Sequence, residues 1–343
     1  MTSYERIPNG LQYTRPLQTR DNDILYLRAE DIRKERTGVH AKISIYLNQT
    51  VEAWSNFNIE RDEERVRLSN KAHKLFGRDI EAIYSREYLN HELDTFCMGL
   101  WQAWLGEQKA EDVEGDPDLQ LSWLLYPYIL RGGGTFMFAP PGGGKSYTAL
   151  VMAVSIDSGS DLFFANPGEM QSAKAMYVNL ERDRASIARR IGKINRVLGL
   201  QPTRSLLCNN ARGHRLMDIK DSLANQIKEH EVEMIVYDSV SRSGRGSLTA
   251  DDAVNSVADT LSEICPTWLA IAHTPRQDES HIFGSVMFDA AADIMLRMHS
   301  VEKDGNLGVG LEITKSNDGP RPKIMVIGYN FDADGLTRAW RSS

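Results

Sequence analysis

The stretch "FAPPGGGKSY", residues 138–147, constrains this chain more than any other. Three consecutive glycines stand between a proline pair and a Lys-Ser dipeptide. Most glycine-rich turns only reverse a chain. This one follows the apolar run "TFMFA" (135–139), which reads as a buried strand, and precedes a stretch that reads as a helix from about Lys145. Backbone N–H groups of consecutive glycines can converge on an anion, and a helix amino terminus adds a favourable dipole. The pattern fits G-x-x-x-x-G-K-[ST], with Ala139 in the first glycine position. Pro141, Gly142, Gly143, Gly144, Lys145, Ser146 and Tyr147 are therefore expected to cradle a phosphate chain. Lys145 is placed to reach the β- and γ-phosphates of ATP, and the Ser146 hydroxyl to ligate Mg2+.

A phosphate loop alone hydrolyses nothing. Magnesium needs a further carboxylate behind it, and "EMIVYD" (233–238) supplies Asp238 at the carboxyl end of an apolar run. Glu181 ends "AKAMYVNLE" (173–181), directly before a helical pattern. An acid there can simply favour a helix start, a role it would share with Asp183. The strand that Glu181 ends is expected to lie beside the phosphate-loop strand, which would turn the carboxylate toward the γ-phosphate as the group that activates water.

The rest of the chain divides around these motifs. Residues 1–36 read as a polar, irregular arm. In 41–59 the residues Ala41, Ile43, Ile45 and Leu47, then Val51, Ala53, Phe57 and Ile59, alternate across a polar "NQT", which predicts a β-hairpin. Leu89, Leu93, Phe96, Cys97, Leu100, Trp101, Trp104 and Leu105 share one helix face, better explained by core packing than by a partner surface. The acidic segment 106–118, with Gly and Pro, reads as a linker. This predicts a smaller α+β amino-terminal domain, 1–118, and a larger domain, 119–343. In the second, near-continuous apolar strands at 135–139, 173–181, 204–208, 233–238 and 268–273 alternate with helical segments. That rhythm indicates α/β, a mostly parallel sheet with helices on both faces. The last segment alternates like antiparallel strands added at the edge.

Composition narrows the function classes. The net charge of −7 does not suit a general polyanion binder, yet allows a local basic loop. The three cysteines are far apart, without a C-x-x-C pair, which argues against a disulfide framework or structural zinc site. The amino terminus has no secretory h-region, and no apolar run reaches the ~18 residues of a spanning helix. A cytoplasmic protein without membrane contact is expected.

In order, "LLYPYILRGGGTFMFAPPGGGKSYTAL", "MYVNLERDRASIARRI", "MIVYDSVSR", "LAIAHTPR" and "GSVMFDAAADIMLRM" resemble the ATPase core of RecA-like proteins, closest to the plasmid RepA-type and DnaB-type hexameric helicases. The likeness covers about residues 119–330. It implies a RecA-like core, Glu181 as catalytic base, and an oligomer, with a hexameric ring as the expected form. A polar residue ending the strand after Asp238 senses the γ-phosphate in that family; His273 stands there, with a buried structural histidine as the equal alternative. The neighbouring subunit supplies a cation near a late hairpin. "LEITKSNDGPR" matches this region, with Lys315 as the trans-acting group; Asn317 replaces the usual arginine, and Arg321 follows. Two loops line the family's nucleic-acid channel. The matching stretches, 239–252 and 274–285, carry Arg242, Arg245, Arg276, His281 and Phe283, cations with an aromatic that suit single-stranded DNA.

The resemblance therefore implies an ATP- and Mg2+-dependent motor on single-stranded DNA, a replicative-type helicase of a phage or mobile element, with residues 1–118 open to a replication partner. The rival is a non-translocating switch of the same fold, such as a loader, recombination mediator or signalling ATPase. A small-molecule kinase is disfavoured, because no arginine-rich lid is evident.

Overall fold

The computed structural model describes residues 4–7, 10–17, 22–48, 50–75, 85–106, 110, 112–160, 162–164, 171–242, 251–275, 281–282 and 287–342. The chain divides into two compact units, Met1–Asp116 and Pro117–Ser343.

The first unit is an antiparallel meander of β1 (Tyr4–Ile7), β2 (Gly10–Pro16), β3 (Ile24–Glu35), β4 (Gly38–Leu47) and β5 (Thr50–Asn58), followed by α1 (Asp62–His73) and α2 (Arg86–Gly106). Leu25, Leu27 and Ala29 of β3 and Ala41, Ile43 and Ile45 of β4 point to one face and pack on Leu68 of α1 and on Leu93, Phe96 and Leu100 of α2. The expected irregular arm is thus corrected: residues 4–35 contribute three strands. Their polar character belongs to the opposite, solvated face. There Lys42 pairs with Glu30 across β3–β4 at 2.8 Å, and the Arg28 guanidinium lies 4.4 Å from the Tyr46 ring centroid. Charged outward residues hid a period-two pattern that the inward residues keep.

The 41–59 hairpin is present as β4–β5, with one change. The register shifts between Ile45 and Tyr46, so Ile45 faces Ala53 while Tyr46 faces Val51. The extra residue turns Val51 to the outer face, where it is 46% exposed. On α2, Leu89, Leu93, Phe96, Cys97 and Leu100 are buried, Trp101 and Trp104 are partly buried, and Leu105 is exposed.

In the second unit β6 (Trp123–Leu125) and β7 (Ile129–Leu130) form a small pair. A nine-stranded sheet then carries the fold. Its strands are β8 (Gly134–Ala139), β9 (Ala175–Asn179), β10 (Leu207–Asn210), β11 (Met234–Asp238), β12 (Trp268–His273), β13 (Ile294–Lys303), β14 (Asn306–Ser316), β15 (Met325–Asp332) and β16 (Gly335–Ser342). The order is β10-β9-β11-β12-β8-β13-β14-β15-β16, parallel from β10 through β13 and antiparallel beyond. The helices are α3 (Lys145–Ser158), α4 (Arg184–Val197), α5 (Leu216–Glu229), α6 (Asp251–Ile264) and α7 (Met287–Ala291).

Both faces of the parallel strands are covered. Along β8, Met137 joins the core shared with α3 and α4, while Phe136 and Phe138 join the core shared with α5, α6 and α7. This explains why these strands read as unbroken apolar runs rather than alternating ones. Strand bounds differ from the sequence reading: β9 ends at Asn179 and β10 starts at Leu207. At the head of β8, a Cβ on Gly134 would stand 2.1 Å from Cζ2 of Trp268, so only glycine lets β12 approach there. Among the described residues no helix is long and apolar enough to cross a membrane.

Candidate nucleotide site

The parallel strands all deliver their carboxyl ends to one edge of the sheet, and the site is assembled there. β8 stops at Ala139, and residues 140–144 turn the chain into α3. Gly144 has φ +87°, a left-handed conformation that disfavours any side chain, and a Cβ there would also stand 2.7 Å from Cδ2 of Leu307 on β14. The next residue, Lys145, is only 5% exposed. Its Nζ donates to the carbonyls of Ala139 at 2.6 Å and Pro140 at 2.7 Å. Two of the ammonium's three protons are thus used, and one remains for a further acceptor. Burial pulls the Lys145 pKa down to about 8, against the opposing pull of the Asp238 and Glu181 carboxylates. Such a lysine gains most from an anion placed beside it.

Asp238 closes β11 and is 3% exposed. It accepts a hydrogen bond from the Tyr177 hydroxyl on β9 at 2.5 Å and another from the Ser146 hydroxyl. Burial pushes its carboxyl up, helped by the Glu181 charge, while the two hydroxyl donors and Arg190 hold it down. Tyr177 is fully buried, and its hydroxyl is raised well above the ordinary range, first by burial and then by Asp238. Among the described residues no cluster of three or more His, Cys, Asp or Glu could hold a metal alone. The donor set fits magnesium nonetheless: one hydroxyl and one carboxylate suit an ion that keeps water and phosphate oxygens as its other ligands.

Glu181 requires a correction. It lies two residues beyond the end of β9, and β9 is not beside the phosphate-loop strand: β11 and β12 stand between β9 and β8. Chain order does not give spatial order here, because β12, the last of the five α/β strands in sequence, inserts between β8 and β11. Glu181 still reaches the cleft, because its turn is rigidly held. The fully buried Asn179 side chain accepts from the amides of Glu181 (3.3 Å) and Arg182 (3.0 Å) and donates to the Arg182 carbonyl (2.8 Å). Glu181 Oε1 accepts a hydrogen bond from Ser239 Oγ at 2.7 Å. The helix start falls to Asp183, whose side chain accepts from the Ser186 amide at 2.9 Å. Of the two acids, Asp183 caps the helix and Glu181 lines the cleft.

A cavity of about 630 Å³ joins these groups. Pro141, Gly142, Gly144, Lys145, Ser146 and Tyr147 line it together with Glu181, Arg190 and His273. Gly143 does not; its amide turns back to the Pro140 carbonyl at 3.4 Å. His273 ends β12, with Nδ1 buried and without a hydrogen-bond partner among the described residues. Burial, and then Lys145, lower its pKa against the pull of Glu181, so the ring stays neutral at pH 7. At the far wall the Arg190 guanidinium lies 4.3 Å from the Tyr147 ring centroid, and Phe331 meets Tyr147 edge-on at 5.1 Å.

The remaining expected residues are not drawn into this cavity. Lys315 Nζ donates to the carbonyls of Asp289 (2.5 Å) and Ala292 (2.6 Å) within the same chain, and Arg321 is exposed on the loop after β14. His281 is exposed. Arg245, Arg276 and Phe283 lie outside the described residues, as does the side chain of Arg242, whose backbone closes the 3-10 turn Val240–Arg242. Sequence reasoning missed Asn179, Tyr177, Arg190 and Ser239. Of these, only Asn179 left a signal, as a polar residue ending an otherwise apolar strand.

A family model described as an AAA domain, AAA_25, matches residues 105–279. No curated protein matches the chain.

Proposed function

The chain belongs to the AAA_25 family of AAA domains, P-loop ATPase-like proteins, and from that premise we propose that it hydrolyses ATP with magnesium in an oligomer whose turnover is coupled to single-stranded DNA. The observation that carries the hydrolytic reading is the convergence of Lys145, Ser146, Glu181 and His273 on one cavity, with Asp238 hydrogen-bonded behind Ser146. The run of six parallel strands, with the phosphate-loop strand beside β12, supports a RecA-like core within that family.

In this reading Lys145 turns its third proton to the β- and γ-phosphate oxygens and offsets the charge that develops during in-line attack. Ser146, with Asp238 behind it, would hold magnesium, which would supply neutralisation of phosphate charge. Glu181 orients the attacking water and accepts its proton. His273, neutral and lining the cavity, hydrogen-bonds the γ-phosphate and registers its loss.

Coupling to DNA is supported by the likeness of residues 239–252 and 274–285 to channel loops, and a ring-forming helicase of the RepA or DnaB kind is the form we favour. The non-translocating switch draws support from one observation: Lys315 is tied to carbonyls of its own subunit, as a residue without a role across an interface would be. The test measures ATP turnover with and without a single-stranded oligothymidylate, alongside native mass with a non-hydrolysable ATP analogue. Glu181→Gln is expected to bind ATP and lose turnover by about a hundredfold or more. Normal hydrolysis by that variant would move the base elsewhere, and an unstimulated wild type would favour the switch.

A further inference from the structure

Glu181 lines a second cavity as well, of about 430 Å³, whose other walls include Arg212, His214, Arg215 and Ser241. The three basic residues come from the segment that leads from β10 into α5, which belongs to neither of the loops considered above. Arg212 and His214 are exposed, and Arg215 is half-buried. Among the described residues no carboxylate pairs with Arg212 or Arg215. Two guanidinium groups, an imidazole and a hydroxyl facing one space form a donor set for a tetrahedral oxyanion.

The cavity is wired to the catalytic carboxylate. Ser239 Oγ donates to Glu181 Oε1 at 2.7 Å and lies 2.7 Å from Ser241 Oγ. A hydroxyl owns one proton. Ser239 gives its proton to Glu181, so in the Ser239–Ser241 contact the donor must be Ser241. The chain therefore has a direction, Ser241 to Ser239 to Glu181, and its free end opens into the basic cavity.

We infer that this cavity binds a phosphate group of the single strand, and that its occupancy releases Glu181 for catalysis through the Ser241–Ser239 pair. The inference rests on the ATPase reading above. An anion beside Arg212 and Arg215 takes the Ser241 proton as a hydrogen bond. The Ser241 oxygen then offers Ser239 a lone pair, and Ser239 rotates its own proton away from Glu181. No covalent bond changes; two hydroxyls turn. Glu181 loses a donor that competes with the attacking water and gains an acceptor site for it. Without the anion, the same hydrogen bond keeps the carboxylate engaged, which restrains idle hydrolysis.

The shared chemistry is a phosphate group, whether on a strand or as the free ion released by hydrolysis, and the experiment separates these sources. ATP turnover is measured for the full chain with oligothymidylate, with inorganic phosphate, and with neither; strand binding is followed by anisotropy of a labelled oligothymidylate across salt concentrations. In Arg212→Ala/Arg215→Ala, strand affinity is expected to fall about tenfold or more, the log–log salt slope to lose about 1.4, and stimulation to vanish. Arg212→Lys/Arg215→Lys should recover most of the slope. Ser239→Ala should bind the strand as wild type does, yet hydrolyse at one fast rate with or without it. Stimulation by inorganic phosphate alone, abolished by the double alanine variant, would support the site and identify the free ion as its occupant. A double alanine variant with unchanged slope and stimulation, or a Ser239→Ala variant still responsive to the strand, would overturn the inference. A wild type that hydrolyses ATP but ignores both additives would also overturn it and leave the phosphate-loop assignment intact. A wild type with no ATPase activity would instead remove the reading beneath it.

Discussion

Arg65 in the first unit and Lys145 in the second are both buried cations, 8% and 5% exposed. Arg65 is satisfied from all sides: Nε donates to Asp94 and Nη1 to the Ile59 carbonyl, each at 2.6 Å, and Nη2 donates to Asp62. Glu92, also buried there, accepts from the Tyr13 hydroxyl at 2.9 Å and faces Arg15. Among the described residues Lys145 has only two carbonyls as partners, with no carboxylate in direct contact. Nearby, at the end of β12, His273 Nδ1 and Thr274 Oγ1 are buried without partners among the described residues. Among the described residues the first unit leaves no buried side-chain donor or acceptor over, whereas the second leaves four: His273 Nδ1 and Thr274 Oγ1 at the sheet edge, Ser155 Oγ on α3 and Asn195 Oδ1 on α4. Incompletely satisfied buried groups cost stability, and a buried lysine with a proton to spare beside a cavity is where that cost can serve a ligand.

The comparison breaks most readily at Lys145. Lys145→Ala should lower ATP turnover by about a hundredfold to a thousandfold while hardly moving the thermal midpoint. Phosphate release assays and a thermal melt decide it; turnover near wild type would mean that the lysine is as structural as Arg65. The mirror experiment is Arg65→Ala, expected to cost about 2–3 kcal/mol in denaturant unfolding and to leave ATP turnover unchanged. The figure is held to that range because Asp62 and Asp94 keep access to water once the guanidinium is gone.

A pH series sharpens the contrast. The folded Lys145 pKa of about 8 lies below the unfolded value of 10.5, so between these values the unfolded chain holds more protons. Lysine burial therefore weakens the fold below pH 8, and this penalty fades as pH rises from about 8 to 10.5. Activity runs the other way: KM for ATP should climb as pH passes about 8 and the ammonium deprotonates. A KM flat across pH 7–9 would contradict the perturbed lysine. Smallest of all, Thr274→Val should be neutral or stabilising by up to about 1 kcal/mol, since no bond is lost. Ser69→Ala should cost about 1 kcal/mol, because that hydroxyl has one proton to give and both the Val66 carbonyl and the Asn90 side-chain oxygen within reach to accept it. Equal losses at the two positions would show that Thr274 has a partner after all.

How much of this was legible in sequence depended on the range of the interactions involved. The phosphate loop is local: glycines, lysine and serine act within one turn and announce themselves. Asp238 could be found because a single acid ends an apolar run. Glu181 stands out by its place before a helix, but its neighbouring strand does not follow from sequence, because the order of parallel strands depends on crossovers that no local pattern encodes. Asn179, Tyr177 and Ser239 act through contacts among β9, β11 and the turns after them, and so needed that order first. Residues 4–35 conceal their strands for another reason. Strands solvated on one face carry half their sequence as charge, and β3 interrupts its alternation where the register shifts between Glu30 and Arg33.

The approach of Leu307 to the phosphate loop ties two distant stretches of the chain in evolution. Trimming Leu307 would make room for a side chain at position 144, yet the left-handed backbone would still reject one. The dependency is asymmetric. The hairpin of β13 and β14 is free to drift so long as it accommodates a glycine, while the glycine has two independent reasons never to change. Along such a lineage substitutions would accumulate at 307 and its neighbours, and the loop beneath would stay still.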